Sequence, residues 1–185
     1  MKAFAVFVFL VNGDVMDRMH AAGDFVTYRQ NGICKITRTV KQNFGGMGEK
    51  EYYELSPVYD AKSVIFVPTD SQALVSEMRH VLSREEIDAV ICNSEHETLE
   101  WVEDTKERAQ AFGEILSGGD RQRILWVIKV LSLYKKELEE KKRKLYATDA
   151  KILSAAEKTI TEEFAFVLGI GRDEVLTYIL ERLGK

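Results

Sequence analysis

The stretch GDFVTYRQNGICKITRTV, residues 23–40, has the strongest strand pattern in the first part of the chain. Its first segment, 24–29, places side chains alternately on two faces, which is the period of a β-strand. Asn31 and Gly32 follow as a turn signal suited to positive φ, and 33–40 is a second β-rich run. The pattern predicts two strands joined by a tight turn.

Two further short runs, 51–55 and 63–67, are rich in Tyr, Val, Ile and Phe, as strands are. A glycine-rich loop at 44–48 precedes them, and its glycines make a helix implausible there. Strands this short and closely spaced predict a compact, curled barrel of the SH3 or Tudor kind.

From Ser71 onward the pattern changes to that of helices. Ser83 and Glu86 form a capping box, which marks the start of one helix. An apolar stripe predicts the next helix from about residue 97 to 116. Further helices are predicted to begin after Asp120, at Thr148 or Asp149, and at Asp173.

The sequence therefore predicts an α+β fold with two domains. We expect an N-terminal extension over 1–22, an SH3/Tudor-like small β-barrel over 23–70 and an all-α helical bundle over 71–185.

The N-terminal extension contains an apolar run, 3–11, that is far too short to span a bilayer. Asn12-Gly13-Asp14 follows without a nearby cleavage site of the A-x-A kind, which argues against a signal peptide. Two interpretations stay open: a first strand that docks on the following domain, or leader sequence upstream of a start at Met16 or Met19.

Charge is divided unevenly along a chain whose net charge is −4. Residues 71–120 have 4 basic and 12 acidic side chains, a net of −8, whereas 121–158 have 11 and 5, a net of +6. Two solvated helical faces would give this pattern, and so would a basic surface that faces a polyanion.

An enzyme is not indicated. The three histidines lack ligand or triad spacing, and Cys34 and Cys92 stand alone, so we expect no metal, no cofactor and no small-molecule substrate. The glycine-rich loop lies between strands and lacks the Lys-Ser/Thr of a phosphate-binding loop. Reduced thiols and the absence of a spanning segment favour a cytoplasmic protein without a membrane partner.

Several short segments of the chain, in their order and spacing, match a known family. They are 23–28, 31–32 with Ile36, 51–55, 65–68, 78–79, 82–87, 117–120 and 144–149. In these segments the chain is similar to the CarD family of bacterial transcription regulators, whose first domain is shared with transcription-repair coupling factors. Arg29 and Asn31 depart from the family pattern, which often has proline and histidine there.

The resemblance implies that the barrel docks on the β subunit of RNA polymerase by pairing an exposed strand edge with a strand of the partner. The edges nominated for this pairing lie at 37–41 and 62–66. The implied contact residues are Thr37, Arg38, Thr39, Val40, Lys41, Lys62, Val64 and Phe66.

The resemblance also implies that the helical domain contacts promoter DNA at the upstream edge of the bubble and stabilises the open complex. Trp101 matches a family tryptophan that wedges into the minor groove, and Lys106 matches a family lysine five positions later. Further basic side chains are expected to contact phosphates. The DNA-binding set is Trp101, Lys106, Arg108, Arg121, Arg123, Lys129, Lys135 and Lys136.

The two tryptophans differ in their surroundings. Trp101 falls on the flank of the apolar stripe of its predicted helix, so that a core position and a wedge both stay open. Trp126 lies in the most apolar stretch of the following helix and is interpreted as packing. The acidic 71–120 block keeps a second function open, that of a polymerase-binding adaptor without DNA contact.

Overall fold

The computed structural model describes residues 20–46, 48–60, 62–97 and 99–184. A β domain precedes a helical domain, which confirms the predicted α+β class with two domains. Residues 3–11, for which the sequence leaves two interpretations open, lie outside the described residues. Within the described part of the chain, no helix is both long and apolar enough to cross a membrane.

The β domain is one five-stranded antiparallel sheet with the order β4-β3-β2-β1-β5. The strands β4 and β5 form the two ends of this order, and a register shift between Ile36 and Arg38 bends β2. The strands are β1 (Phe25–Tyr28), β2 (Ile33–Gln42), β3 (Lys50–Pro57), β4 (Ile65–Pro68) and β5 (Met78–His80).

One apolar cluster packs within this sheet, and each strand contributes at least one buried residue to it. Alternation explains the set, because β1 buries Val26 and Tyr28 while Thr27 between them faces the helical domain. The buried members are Val26, Tyr28, Cys34, Ile36, Leu55, Val67 and Met78.

The fifth strand corrects the prediction that only helices follow Ser71. A four-residue helix, α1 (Gln72–Val75), is followed by β5, which pairs with β1 through the partners Val26 and His80, Thr27 and Arg79, and Tyr28 and Met78. The sequence does not predict this strand, because three residues are too few to give a period-2 pattern. In the structure, the buried Met78 side chain anchors the strand in the sheet core.

The helical domain contains α2 (Arg84–Ser94), α3 (Thr105–Gly118), α4 (Arg121–Glu140), α5 (Ala147–Leu168) and α6 (Val175–Arg182). The predicted capping box is confirmed, with Glu86 N donating to Ser83 Oγ at 3.2 Å and Ser83 N donating to Glu86 Oε2 at 2.7 Å. The predicted N-cap at Asp120 is also confirmed, because its Oδ1 accepts from Arg123 N at 3.2 Å. One apolar core joins these helices.

Two predicted helix starts are wrong. The helix expected from residue 97 begins only at Thr105, because Asp104 accepts from Lys106 N and Glu107 N at 2.8 and 2.9 Å and caps it there. Neither Thr148 nor Asp149 caps α5, whose N-cap is Tyr146. Asp149 is instead buried, where its carboxylate accepts hydrogen bonds from Arg108.

Side chains of the helical domain fix it against the β domain. Arg121 at the start of α4 donates to Glu163 of α5 and, from the same guanidinium, to Thr27 Oγ1 of β1 at 3.0 Å. Phe25 packs on Phe166 with ring centroids 4.9 Å apart. The two domains are therefore held in one relative orientation by both polar and aromatic contacts.

Glycine is required at one point of this joint. Gly32 has a φ of +66°, and a Cβ there would lie 3.0 Å from Glu162 Oε2. Glu162 is itself almost fully buried, and burial raises the pKa of its carboxyl group. The Tyr59 hydroxyl donates to the Glu162 carbonyl at 3.1 Å, which adds a further contact between the domains.

Candidate functional site

Residues 62–66, which the resemblance predicts to be a polymerase-binding strand edge, lie at one end of the sheet. The last two of these residues belong to β4, which pairs only with β3 among the described strands. Lys62 and Val64 precede the strand and are exposed, Val64 at 54%. Phe66 lies in the strand and is half-buried. Among the residues described, a strand edge without a partner therefore lies beside an exposed apolar side chain.

The edge nominated at 37–41 lies inside β2, which pairs with β3 along its length. On its other side, β1 pairs only with Ile33, Cys34 and Lys35, and the contact ends where Gly23 N donates to Ile36 O at 2.7 Å. Beyond Ile36, this side of β2 has no partner strand among the residues that the structure describes. Within the described ranges, a short stretch of strand edge without a partner is therefore present here as well.

Polar side chains stiffen this stretch of β2. Arg38 donates to Glu54 Oε2 from Nε and Nη2 at 3.1 and 3.0 Å, and Thr37 Oγ1 donates to Glu54 Oε1 at 2.8 Å. These bonds hold the pKa of the Glu54 carboxyl below its usual value. Arg38 is thus paired with a residue of the neighbouring strand, although its side chain remains exposed, as do those of Thr39 and Lys41.

An aromatic cluster lies on the outer side of the same sheet. The Phe44 ring is 5.1 Å from those of Tyr52 and Phe66, and Tyr52 and Phe66 are 6.5 Å apart. Phe44 remains 46% exposed. The cluster gives the β4 side of the domain an apolar surface of the kind that protein partners use.

In the helical domain, Trp101 lies on the irregular segment before α3. Its ring is half-buried, 4.8 Å from the Tyr134 ring of α4 and 6.3 Å from the Phe112 ring of α3. Trp101 is therefore neither sealed in the core nor freely exposed. Its indole packs against the helical core, and the residue as a whole stays partly exposed.

Arg108 corrects the predicted DNA-binding set. The side chain is 1% exposed and forms a bidentate ion pair with Asp149, with Nη2–Oδ2 at 2.7 Å and Nε–Oδ1 at 3.3 Å. A guanidinium that is buried and fully engaged in this way cannot reach a phosphate. The prediction of a phosphate contact at Arg108 is wrong.

Arg121 is a second correction of that set. Its side chain is 11% exposed and donates to both oxygens of Glu163 at 2.9 and 3.0 Å. Because the same group also donates to Thr27 and to the Gly119 carbonyl, it is part of the joint between the domains. It offers no free donor face to DNA.

The remaining predicted cations are exposed but do not share one face. Taking 100° per residue along α4, Arg123 lies about 20° from Tyr134, the helical neighbour of Trp101. Lys129 and Lys136 lie about 140° and 160° from Tyr134, on the opposite side of the helix, and Lys135 lies about 100° away. Arg123 also lines a shallow pocket with Leu99, Val102 and Phe112.

The immediate surroundings of Trp101 combine both signs of charge. Lys106 is exposed at the beginning of α3, and Arg123 borders the segment that bears the tryptophan. Exposed carboxylates accompany them at Glu100, Glu103 and Asp104. The structure thus brings Trp101, Lys106 and Arg123 to one region of the surface and leaves Lys129, Lys135 and Lys136 outside it.

The comparison with protein families decides the nature of the β domain. The family model described as "CarD-like/TRCF RID domain" matches residues 21–82. These residues form a CarD-like RID domain. The resemblance inferred from the sequence is confirmed over this segment, and it indicates a transcription-related protein that interacts with RNA polymerase. No curated protein matches the chain.

The RID domain includes the unpredicted strand β5 and ends just before the capping box of α2. One of its surface residues, Phe44, could not be predicted from the sequence, because it stands in a glycine-rich loop without a periodic pattern.

Trp126 belongs to the helical domain, and its predicted packing is confirmed, because its side chain is 5% exposed in the helical core. The helical domain itself lies outside the matched residues.

Proposed function

We propose that this protein is a transcription regulator that binds the β subunit of RNA polymerase through its RID domain and promoter DNA through its helical domain. In this proposal it stabilises the open complex at the upstream edge of the bubble. It acts in the cytoplasm, catalyses no reaction and needs no cofactor. The proposal has a polymerase half and a DNA half. The observation that carries the DNA half is the half-buried Trp101 on a non-helical segment of the surface.

The polymerase half rests on the RID match together with the geometry of the strand edges. A partner strand added to β4, or to β2 beyond Ile36, would satisfy backbone groups that no described strand occupies. Val64 and the rings of Phe44 and Phe66 lie beside β4 and would supply side-chain contacts. The other predicted contact residues lie near these edges: Val40 is half-buried, and the exposed ones are Thr37, Arg38, Thr39, Lys41 and Lys62.

The DNA half rests on the chemistry of an aromatic ring held at the surface. Apolar side chains that enter the minor groove partly unstack the bases, which costs a few kcal/mol per step, and hold a distorted duplex in return. At the edge of a melted region that cost is lower, because the bases there have already lost a neighbour. Lys106 and Arg123 would contact the flanking phosphates.

The joint between the domains supplies the mechanism. Polymerase fixes the RID domain, and the contacts through Arg121 and Phe25 fix the helical domain relative to it. Trp101 is thereby presented at one place on the promoter. Since a ligand shifts an equilibrium only by its difference in affinity, about 1.4 kcal/mol in favour of the open complex would change the open-to-closed ratio tenfold.

A second candidate is a polymerase-binding adaptor that does not contact DNA. The exposed carboxylates of Glu100, Glu103 and Asp104 beside Trp101 favour it, because they would repel phosphates. In that case Trp101 would serve the helical packing alone, and removing its ring would leave the complex with the promoter unchanged.

Co-purification tests the polymerase half directly. We expect polymerase to accompany the tagged full-length chain, and Val64→Asp to reduce the recovered polymerase because a charge would replace the exposed apolar group beside β4. Leu176→Asp is the matched control, since Leu176 is similarly exposed, at 64%, but lies on α6. Failure of the unaltered chain to recover polymerase would contradict this half of the proposal.

A further inference from the structure

We infer that Arg108 is a positioning residue for Trp101: anchored on Asp149, its guanidinium holds the segment before α3 and one face of the Trp101 ring. The inference rests on the proposed function, in which Trp101 is the group that meets DNA. It assigns a role to a buried ion pair that joins α3 to α5 and lies outside the residues matched by the RID model.

The guanidinium fixes the backbone next to Trp101. Nη1 donates to the Val102 carbonyl at 2.7 Å and to the Glu103 carbonyl at 3.0 Å. These two carbonyls belong to the irregular segment, where no helical donor satisfies them. The chain that carries Trp101 is thus tied to a side chain that projects from the first turn of α3.

The same group also supports the ring. The Arg108 Cζ atom lies 4.5 Å from the Trp101 ring centroid and 5.7 Å from that of Tyr134. A guanidinium over an indole face is a favourable contact, and it is stronger where solvent is excluded, as it is here. The guanidinium and the Tyr134 ring, whose centroid is 4.8 Å from that of Trp101, therefore both contact the indole, and the three groups form one packed cluster.

Asp149 fixes the guanidinium in turn. Both of its oxygens accept from Arg108, and its side chain is fully buried in the first turn of α5. With Thr105 Oγ1 at 3.5 Å from Nη2, all five N–H donors of Arg108 have an acceptor within reach. A guanidinium with every donor engaged is held in one orientation. Through Arg108, α5 therefore sets the position of Trp101.

Arginine is needed for this task because the contacts require a planar fork. In Arg108→Lys the charge opposite Asp149 is kept, but the ring stack and the two carbonyl bonds cannot be made together. We therefore expect the fold to persist while the Trp101 segment loosens. A loosened wedge loses the preorganisation on which its contribution to open-complex lifetime depends.

The experiment reads the ring itself and its effect on the promoter. The full chain carries Trp126→Phe, so that Trp101 is the only tryptophan. Acrylamide quenching of Trp101 fluorescence is measured in the free protein, and open-complex lifetime is measured with polymerase and a promoter. Arg84→Lys is the matched control, because Arg84 likewise donates to a backbone carbonyl, that of Leu168, at the opposite end of α5 from Asp149.

We expect Arg108→Lys to increase the quenching constant of Trp101 about twofold and to shorten the open-complex lifetime about threefold, with Arg84→Lys unchanged in both. Unchanged quenching in a folded Arg108→Lys protein would overturn the inference. If Arg108→Lys does not fold, the neutral pair Arg108→Gln with Asp149→Asn replaces it, and the same two readings decide.

The lifetime with Trp101→Ala separates this inference from the proposed function. If Trp101→Ala shortens the lifetime but Arg108→Lys changes neither reading, the positioning role is overturned and the proposed function stands. If Trp101→Ala leaves the lifetime unchanged, the proposed function fails, and the quenching result alone decides whether Arg108 positions the ring.

Discussion

Arg121 and Glu163 form a bidentate ion pair, with Nε–Oε2 and Nη2–Oε1 distances of 2.9 and 3.0 Å, and they form it where the two domains meet. Glu163 also accepts from Leu82 N at 3.2 Å, and Arg121 donates to Thr27 of β1. One pair of side chains thus connects α4, α5, the end of the RID domain and its first strand. Together with the Phe25–Phe166 and Tyr59–Glu162 contacts, it fixes the helical domain against the β domain.

Breaking this pair is expected to destabilise the protein. Glu163→Gln removes one charge and leaves Arg121, which is 11% exposed, without its counter-ion, so we expect the free energy of unfolding to fall by about 3 kcal/mol. Chemical denaturation measures the change. Asp70→Asn is the control, because its pair with Lys50 is exposed and should contribute nothing measurable. Equal effects of the two variants would contradict the assignment of the joint.

The two thiols are expected to react at very different rates. Cys34 is fully buried, and burial raises the pKa of its thiol to about 11, whereas Cys92 is exposed. A raised pKa leaves less of the reactive thiolate at any given pH. At pH 8 an aromatic disulfide reagent should modify one thiol per folded chain and two in denaturant, and Cys92→Ser should abolish the fast reaction. Rapid modification of both thiols in the folded protein would show that the sheet core is open at Cys34.

The sequence predicted the β domain well because its strands have a strong local signal. Alternation at 24–29 and the turn at Asn31 and Gly32 are enough to define β1 and β2 from neighbouring residues alone. Strand β5 could not be found in this way. Three residues give no period, and Met78 is recruited by a core that only the folded sheet creates.

The helical domain was predicted less accurately where polar side chains act at a distance. Asp149 has the chemistry of an N-cap and stands at the start of α5, but its partner is Arg108 of α3, 41 positions away. Arg108 and Arg121 likewise resemble surface cations in the sequence. Only the fold shows that both are buried and paired with carboxylates of α5. Pairings between helices leave no local pattern to detect.

The placement of the exposed cations predicts which of them contact DNA. Lys106→Gln with Arg123→Gln should weaken binding to a duplex that contains a melted bubble and lower the slope of log K against log salt by about 2, because two phosphate contacts are lost. Lys129→Gln with Lys136→Gln should leave the slope unchanged, since these lysines lie on the far side of α4 from Tyr134. Fluorescence anisotropy over a range of salt concentrations measures both. The reverse pattern would place the DNA on the other face of the helix.

The most direct test of the central claim is the lifetime of the open complex with Trp101→Ala. Polymerase, a promoter and the full-length chain are mixed, a competitor traps released polymerase, and the decay of the open complex is followed with time. We predict that Trp101→Ala shortens the lifetime at least about threefold while polymerase recovery stays unchanged, because the ring is lost and the RID domain is intact. A lifetime equal to that with the unaltered protein, at equal polymerase recovery, would contradict the account.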